Sequence, residues 1–341
     1  MKSAVFYDKQ DIRYEERPIP EIGAGEVLLK MEICGLCGTD IHKVLGETVP
    51  PSSVLGHEVS GTIVKVGHGV ESYGEGDRVY VAHHVPCFTC HYCQREMYTL
   101  CQQFKETNLD PGGFSEYIRV PALHVKHTMG KLPDDMTFEQ GALVEPVACC
   151  IHGFESIDIH PGDSVLILGA GQIGCIQIQI ARHLLAGQII VSDINPYRLE
   201  QSLQFGADYT VNSQHENMME KVMQLTDGNG VDHVIISAGI NSLLPQAMEC
   251  VGRGGTILVF APFKHESVSI PAERFFNDEI KVIGSYSSNP YNYETALQML
   301  RQGVVDTEKM VTHRFPLSQL FEAVQCAHNP NEEVLKVLIT P

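Results

Sequence analysis

The chain has 341 residues, more than one hydrophobic core usually serves, so two domains are expected. Hydrophobic residues make up 43% and charged residues 19%, ordinary globular usage that excludes a disordered or collagenous chain. Lys plus Arg number 24 against 42 Asp plus Glu, a formal charge of −18 that repels phosphate backbones and anionic lipid and argues against nucleic-acid and membrane-surface roles.

Residues Met1–Gln10 carry Asp8 and Lys9 where an export signal needs apolar residues, and a cytoplasmic protein is the expectation. Alternation in Glu26-Val27-Leu28-Leu29-Lys30-Met31 predicts a first strand, and Val59–Val66 a second, closed by Gly67 and Gly69. Short strands separated by Gly and Pro, with few long helical patterns, make the first 150 residues a largely antiparallel β region. The period changes after Pro161-Gly162. Ser164-Val165-Leu166-Ile167-Leu168 is a continuous apolar run, as a parallel strand buried on both faces requires. This run is too soon broken, by Gly169, Gly171, Gln172 and Gly174, to span a membrane. A helix over about 173–185, a strand Gln188–Ser192 and a helix Tyr197–Phe205 follow. Strands come next at Val234–Ser237, Thr256–Phe260 and Lys281–Ile283. Such alternation predicts a doubly wound α/β sheet. Helices Tyr293–Arg301 and Leu317–Ala327 and a strand near Val334–Ile339 close the chain.

Cysteine is used unevenly. There are 11, an odd number with no export signal, and Cys34, Cys37, Cys87, Cys90, Cys93 and Cys101 fall in the first third, which suits reduced thiolates held for metal better than disulfides. Cys87, Cys90, Cys93 and Cys101 can close one tetrahedral shell around zinc with no open position. Their stretch also carries Pro86, Thr89, His91, Gln94 and Arg95, unlike a buried core; an iron–sulfur cluster is the other metal reading.

Gly169-Ala170-Gly171-Gln172-Ile173-Gly174 follows the buried strand and opens a helix, the arrangement that sets a dinucleotide pyrophosphate on a helix N-terminus. Asp193 ends the next strand, nineteen residues beyond Gly174, where a carboxylate bonds the ribose 2′-hydroxyl. It would repel a 2′-phosphate, which favours NAD; Arg198 argues mildly the other way. A second polar cluster lies in glycine-punctuated loops: Gly35-Leu36-Cys37-Gly38-Thr39-Asp40-Ile41-His42 and Gly56-His57-Glu58, with a further turn expected at Glu145-Pro146. A catalytic zinc needs about three protein ligands and one open position.

On these motifs, together with Leu143-Val144-Glu145-Pro146 and Thr312-His313-Arg314-Phe315-Pro316-Leu317, nearly the whole chain resembles the zinc-dependent medium-chain alcohol dehydrogenase superfamily, in its polyol (sorbitol) and threonine dehydrogenase branch. The resemblance implies a GroES-like catalytic domain over 1–150, with 285–341 returning to it, and a Rossmann-type coenzyme domain over 151–284. It implies two zinc ions per chain, one structural and one catalytic, and NAD. The catalytic zinc would be held by Cys37, His57 and either Glu58 or Glu145. Neighbours on a strand face opposite ways, so His57 and Glu58 reach one ion only if the backbone turns there. Charge balance around a divalent ion favours one carboxylate binding at a time.

The resemblance further implies oxidation of a secondary hydroxyl to a ketone, with Thr39 and His42 relaying the proton, and a homodimer or homotetramer. The competing reading of that pair is a helix cap at Thr39 and an ordinary surface histidine at His42. Sorbitol-type enzymes carry an arginine after the strand placed at 281–284; Gly284-Ser285-Tyr286-Ser287-Ser288-Asn289-Pro290 has none. That puts sorbitol in doubt and leaves a polyol phosphate, a cyclitol or aminocyclitol, or a simple secondary alcohol. Threonine dehydrogenase-like activity on an amino alcohol and a non-enzymatic dinucleotide-binding role are the alternatives.

Overall fold

The strand Val27–Gly35 is the spine of the first unit, with only Lys30 and Glu32 outside its buried set. Its first half pairs antiparallel with Tyr117–Val120, and its whole length pairs with Glu58–Val66. Its last two residues pair with Lys336–Thr340 on the other side, so Gly35 faces Glu58 across one ladder and Leu338 across the other. The sheet runs Val311–Pro316, Lys336–Thr340, Val27–Gly35, Glu58–Val66, Arg78–Val81, Met129–Lys131. All its pairings are antiparallel except that of the first two strands. Asp11–Glu16, Lys2–Asp8 and Ser53–Val54 form a small second sheet. The two share one core, in which Val5, Phe6, Leu29, Met31, Val59 and Ile118 are nearly inaccessible.

The computed structural model describes residues 1–46, 49–264 and 266–341. The first unit comprises Met1–Ala148, Ser288–Gly303 and Thr307–Pro341, and the second comprises Cys149–Ser287 and Val304–Asp306.

The second unit is built on a parallel sheet in the order Tyr209–Asn212, Gln188–Asp193, Ser164–Leu168, Val231–Ile236, Val251–Val259, Lys281–Gly284. Counted from Ser164–Leu168 this is 3-2-1-4-5-6, and the order reverses beside the first strand, where such sheets bind dinucleotides. Ser164–Leu168 has the expected bounds because flanking strands and both sheet faces bury it, and its apolar run has no other state to adopt. Val231–Ile236 and Val251–Val259 begin earlier than their apolar runs do. Asp232 and His233 interrupt one, Gly252, Arg253, Gly254 and Gly255 the other, and the register shifts between Val231 and His233.

One expectation is corrected. Glu145-Pro146 does not begin a turn; it lies in the first turn of a helix, Val144–Glu155. Proline is tolerated there because the first N–H groups of a helix lack intrahelical acceptors. Among the described residues no helix is long and apolar enough to cross a membrane.

The glycine loop closes onto the helix Gln172–His183. Gly169 has φ +110, and a Cβ on Gly174 would lie 2.0 Å from the Gly169 carbonyl oxygen, so strand and helix meet only without a side chain there. Gly174→Ala is therefore expected to cost about 1–3 kcal/mol by overpacking. Thermal unfolding should show a lowered midpoint and a fluorescence titration weakened NADH binding; an unchanged midpoint would contradict this packing.

Candidate functional site

Cys37 ends the run from the spine strand and is the N-cap of the helix Gly38–Leu45. Asp40, on that helix's first turn and buried, turns its carboxylate back. One oxygen accepts from the Cys37 N–H at 3.2 Å; the other accepts from the Gly56 N–H at 3.2 Å and lies 3.5 Å from His57 Nδ1. Burial would raise this carboxyl, but His57 and the two backbone donors outweigh it and hold it below its usual value. With Asp40 facing Nδ1, the proton belongs on that nitrogen, which leaves Nε2 its lone pair for a metal.

Gly56, at φ +88, supplies the turn that lets His57 and Glu58 reach the same side. One donor atom each from Cys37, His57 and Glu58 lies within 4.8 Å of the others. Glu58 is wholly buried, opens the strand Glu58–Val66, and is ion-paired with the equally buried Lys336. Its Oε1 is buried with no hydrogen-bond partner among the described residues, an orphaned oxygen of the kind a cation satisfies. Glu145 is outside this trio; its Oε1 lies 3.8 Å from His83 Nδ1. The His83 ring stands 4.6 Å from that of His57 and 3.8 Å from that of His84. Burial holds the His83 imidazole well below its usual pKa, and burial also lowers His84 to about 4, against the raising effect of its 2.7 Å bond to the Thr107 carbonyl.

Thr39 and His42 are both exposed and stand three apart on the helix Gly38–Leu45, a spacing that puts them on one face. Thr39 does not cap this helix; Cys37 and Asp40 do, as a reciprocal capping box.

The Cys87, Cys90, Cys93 and Cys101 donors also lie within 4.8 Å of one another. Cys90 Sγ is 3.6 Å and Cys87 Sγ 3.9 Å from Cys93 Sγ. A tetrahedral ion with ~2.3 Å metal–sulfur bonds has S···S edges of about 3.8 Å. The quartet therefore has the dimensions of a mononuclear site; an iron–sulfur cluster would interpose sulfide and spread the thiolates. The Thr89 hydroxyl and backbone N–H groups lower the Cys87 thiol to about 6, and burial beside the other sulfurs raises Cys93 to about 12.

In the second unit, Asp193 Oδ2 accepts from the Ala170 N–H of the glycine loop at 2.7 Å, and Oδ1 accepts from the Ile194 and Asn195 N–H groups. Arg198 reaches toward Gly171, with its Nη1 4.0 Å from where a Cβ would sit, and its buried Nε has no partner among the described residues. Ile173 lies on the first turn of the helix between the second and third glycines.

Asp40, Lys336 and His83 are the residues sequence reasoning missed. Lys336 had a signal, a lone cation inside Val334-Leu335-Lys336-Val337-Leu338-Ile339, and Asp40 had another, a carboxylate three residues after a helix start. His83 had none beyond its neighbour His84.

Residues 173–302 match the zinc-binding dehydrogenase family model, and residues 23–134 the alcohol dehydrogenase GroES-like domain. The chain is 31% identical to the sorbitol dehydrogenase of Bacillus subtilis (strain 168), over 100% of this chain and 97% of that protein. It is 32% identical to the D-arabitol-phosphate dehydrogenase of Enterococcus avium, over 99% and 96%. A zinc-binding dehydrogenase of Sinorhizobium meliloti 1021, solved with NADP bound, superposes with TM-score 0.91 at 29% identity, covering 100% of this chain and 99% of that one. Fold, glycine loop and whole-length similarity agree: the chain belongs to the zinc-dependent medium-chain alcohol dehydrogenases, in their polyol branch.

Proposed function

We propose that this enzyme oxidises a secondary hydroxyl of a polyol-like substrate to a ketone with NAD, reversibly, using Cys37, His57 and a carboxylate to hold the catalytic zinc and the cysteine quartet to hold a structural one. The observation that carries this reading is the trio of Cys37, His57 and Glu58 donors on two turns joined by Asp40. Of the two candidate carboxylates, Glu58 has the geometry beside Cys37 and His57, and Glu145, near His83, is the alternative.

When bound, the zinc supplies a Lewis acid that lowers the substrate hydroxyl's pKa, and the nicotinamide supplies the hydride acceptor. Asp40 fixes the His57 tautomer and holds the Cys37 turn against the His57 turn. Thr39 receives the hydroxyl proton and passes it toward His42, whose exposure gives it to solvent. In the coenzyme unit, Gly169, Gly171 and Gly174 admit the pyrophosphate to the start of the helix Gln172–His183, and Asp193 faces the adenosine ribose. The absence of arginine from Gly284–Pro290 favours polyols other than sorbitol. NADH formation followed across polyols, their phosphates, inositol-like rings and amino alcohols tests the substrate class. Turnover of an amino alcohol alone would favour the threonine dehydrogenase-like reading, and no turnover at all a binding role.

Metal analysis should find about two zinc ions per chain, and about one after mild chelation, with fold retained and activity lost. Iron at the quartet would refute that assignment.

NAD should exceed NADP in kcat/KM by at least about tenfold, since Asp193 bonds ribose hydroxyls and repels a 2′-phosphate. Asp193→Ala should narrow the gap chiefly by weakening NAD. Equal use of the two cofactors would mean that Arg198, whose Nε has no partner among the described residues, dominates the pocket.

Thr39→Val should lower alcohol oxidation by ~10²-fold or more with zinc content and NAD binding unchanged, while Thr39→Ser keeps much of the rate. His42→Ala should be milder, its defect shrinking with small amine buffers. Oxidation by Thr39→Val at the parental rate would send the proton by another route.

A further inference from the structure

The Lys336 ammonium lies where no solvent reaches, at the crossing of the two segments that bring Cys37 and His57 together. It is ion-paired with Glu58 and donates to the Leu36 carbonyl at 3.3 Å, one residue before Cys37. Glu58 is the residue after His57. The backbone is shaped around the pair: a Cβ on Gly35 would fall 2.8 Å from Lys336 Nζ and would also strike Glu58 Oε2. Gly35 pairs with Glu58 on one side and with the Lys336 strand on the other, so three strands converge on this one ion pair.

A buried lysine is costly to desolvate, and an apolar residue of similar length would pack into Val334–Ile339 at less cost. Its position explains its presence. Glu58 offers two oxygens; Lys336 holds Oε2, and Oε1 is left buried without a partner among the described residues. We propose that Lys336 is a positioning residue for the metal site: by holding one Glu58 oxygen and opposing its charge, it limits that carboxylate to a weak, single-oxygen hold on the ion and keeps a coordination position open for substrate. This rests on the zinc-site reading above. Without Lys336, Glu58 would be an unpaired buried carboxylate beside a divalent cation, and both its oxygens would turn to the metal.

The test compares the parent enzyme with Lys336→Met, Lys336→Arg, Glu58→Gln and the double variant Glu58→Gln/Lys336→Met, each loaded with zinc and, separately, with cobalt at the exchangeable site. Lys336→Met should release metal to dipicolinate about tenfold more slowly than the parent. It should shift the cobalt d–d absorption bands and lower kcat/KM by about 10- to 100-fold. Lys336→Arg, which keeps the charge, should restore most of each property. In the Glu58→Gln background, Lys336→Met should change metal release and the cobalt spectrum little, because no carboxylate remains to be restrained. Should Lys336→Met alone fail to fold, Lys336→Gln, which removes the charge but keeps a donor beside the Glu58 oxygen, takes its place: it too should slow metal release, and unchanged or faster release would overturn the proposal.

Faster metal loss in Lys336→Met, or a cobalt spectrum identical to the parent's, would overturn the proposal and reduce Lys336 to a packing role. So would an equal effect of Lys336→Met with and without Glu58. A parent that takes up no cobalt beyond its quartet site would instead overturn the zinc-site reading, and this proposal with it.

Discussion

The Asp40 carboxylate is the joint on which the cluster of Cys37, His57 and Glu58 depends. Two turns, one after the spine strand and one at Gly56, must hold a thiolate and an imidazole a few ångströms apart, and neither turn fixes the other. Asp40 binds both through backbone N–H groups and faces His57 as well. Its charge is buried, yet each of its contacts is a donor, which offsets the desolvation that would otherwise neutralise it. Because Asp40 also completes the cap of the helix Gly38–Leu45, the start of that helix, with Thr39 on it, is set by the same contacts.

The coenzyme unit uses a similar device with a different residue. Asp193 accepts from the glycine loop and from the two residues that follow it, so the carboxylate proposed to meet the ribose is also the clamp that shapes the glycine loop. A carboxylate has about four acceptor sites; with three taken by backbone N–H groups, the remaining one is what Asp193 has to offer a ribose hydroxyl.

How much of this was legible follows burial symmetry. Strands buried on both faces read as unbroken apolar runs, and Ser164–Leu168 emerged with its bounds intact. Lys2–Asp8 and Tyr209–Asn212 did not emerge. The first alternates too weakly, and the second is a four-residue edge strand whose Tyr209 is exposed. That Cys37, His57, Glu58 and the cysteine quartet would cluster was legible because the spacing of such residue types follows coordination chemistry. What escaped were the partners of those residues, Asp40, Lys336 and His83. Such groups come from distant parts of the chain: 278 residues separate Lys336 from Glu58, and no local pattern encodes a contact made through the ladders of three strands.

The two metal sites differ in a way their donor sets explain. The four thiolates lie within fifteen residues and are bonded by backbone N–H groups of the same stretch, so all the donors proposed for the structural ion come from one local segment. The Cys37–His57–Glu58 site draws a thiolate from one turn, an imidazole and a carboxylate from a second, and a buried cation from the last strand. Removing one partner of a buried ion pair costs about 3–5 kcal/mol, so Lys336 ties the integrity of this site to the C-terminal strand of the sheet. A closed shell serves a structural ion, and its four like ligands leave nothing to adjust. On the proposed reading, a site that must exchange water for substrate needs a ligand whose hold can be weakened, and a carboxylate shared with a lysine would provide one. The distance in sequence between Lys336 and Glu58 thus follows from the chemistry: a restraint that acts against coordination has to come from outside the loops that coordinate.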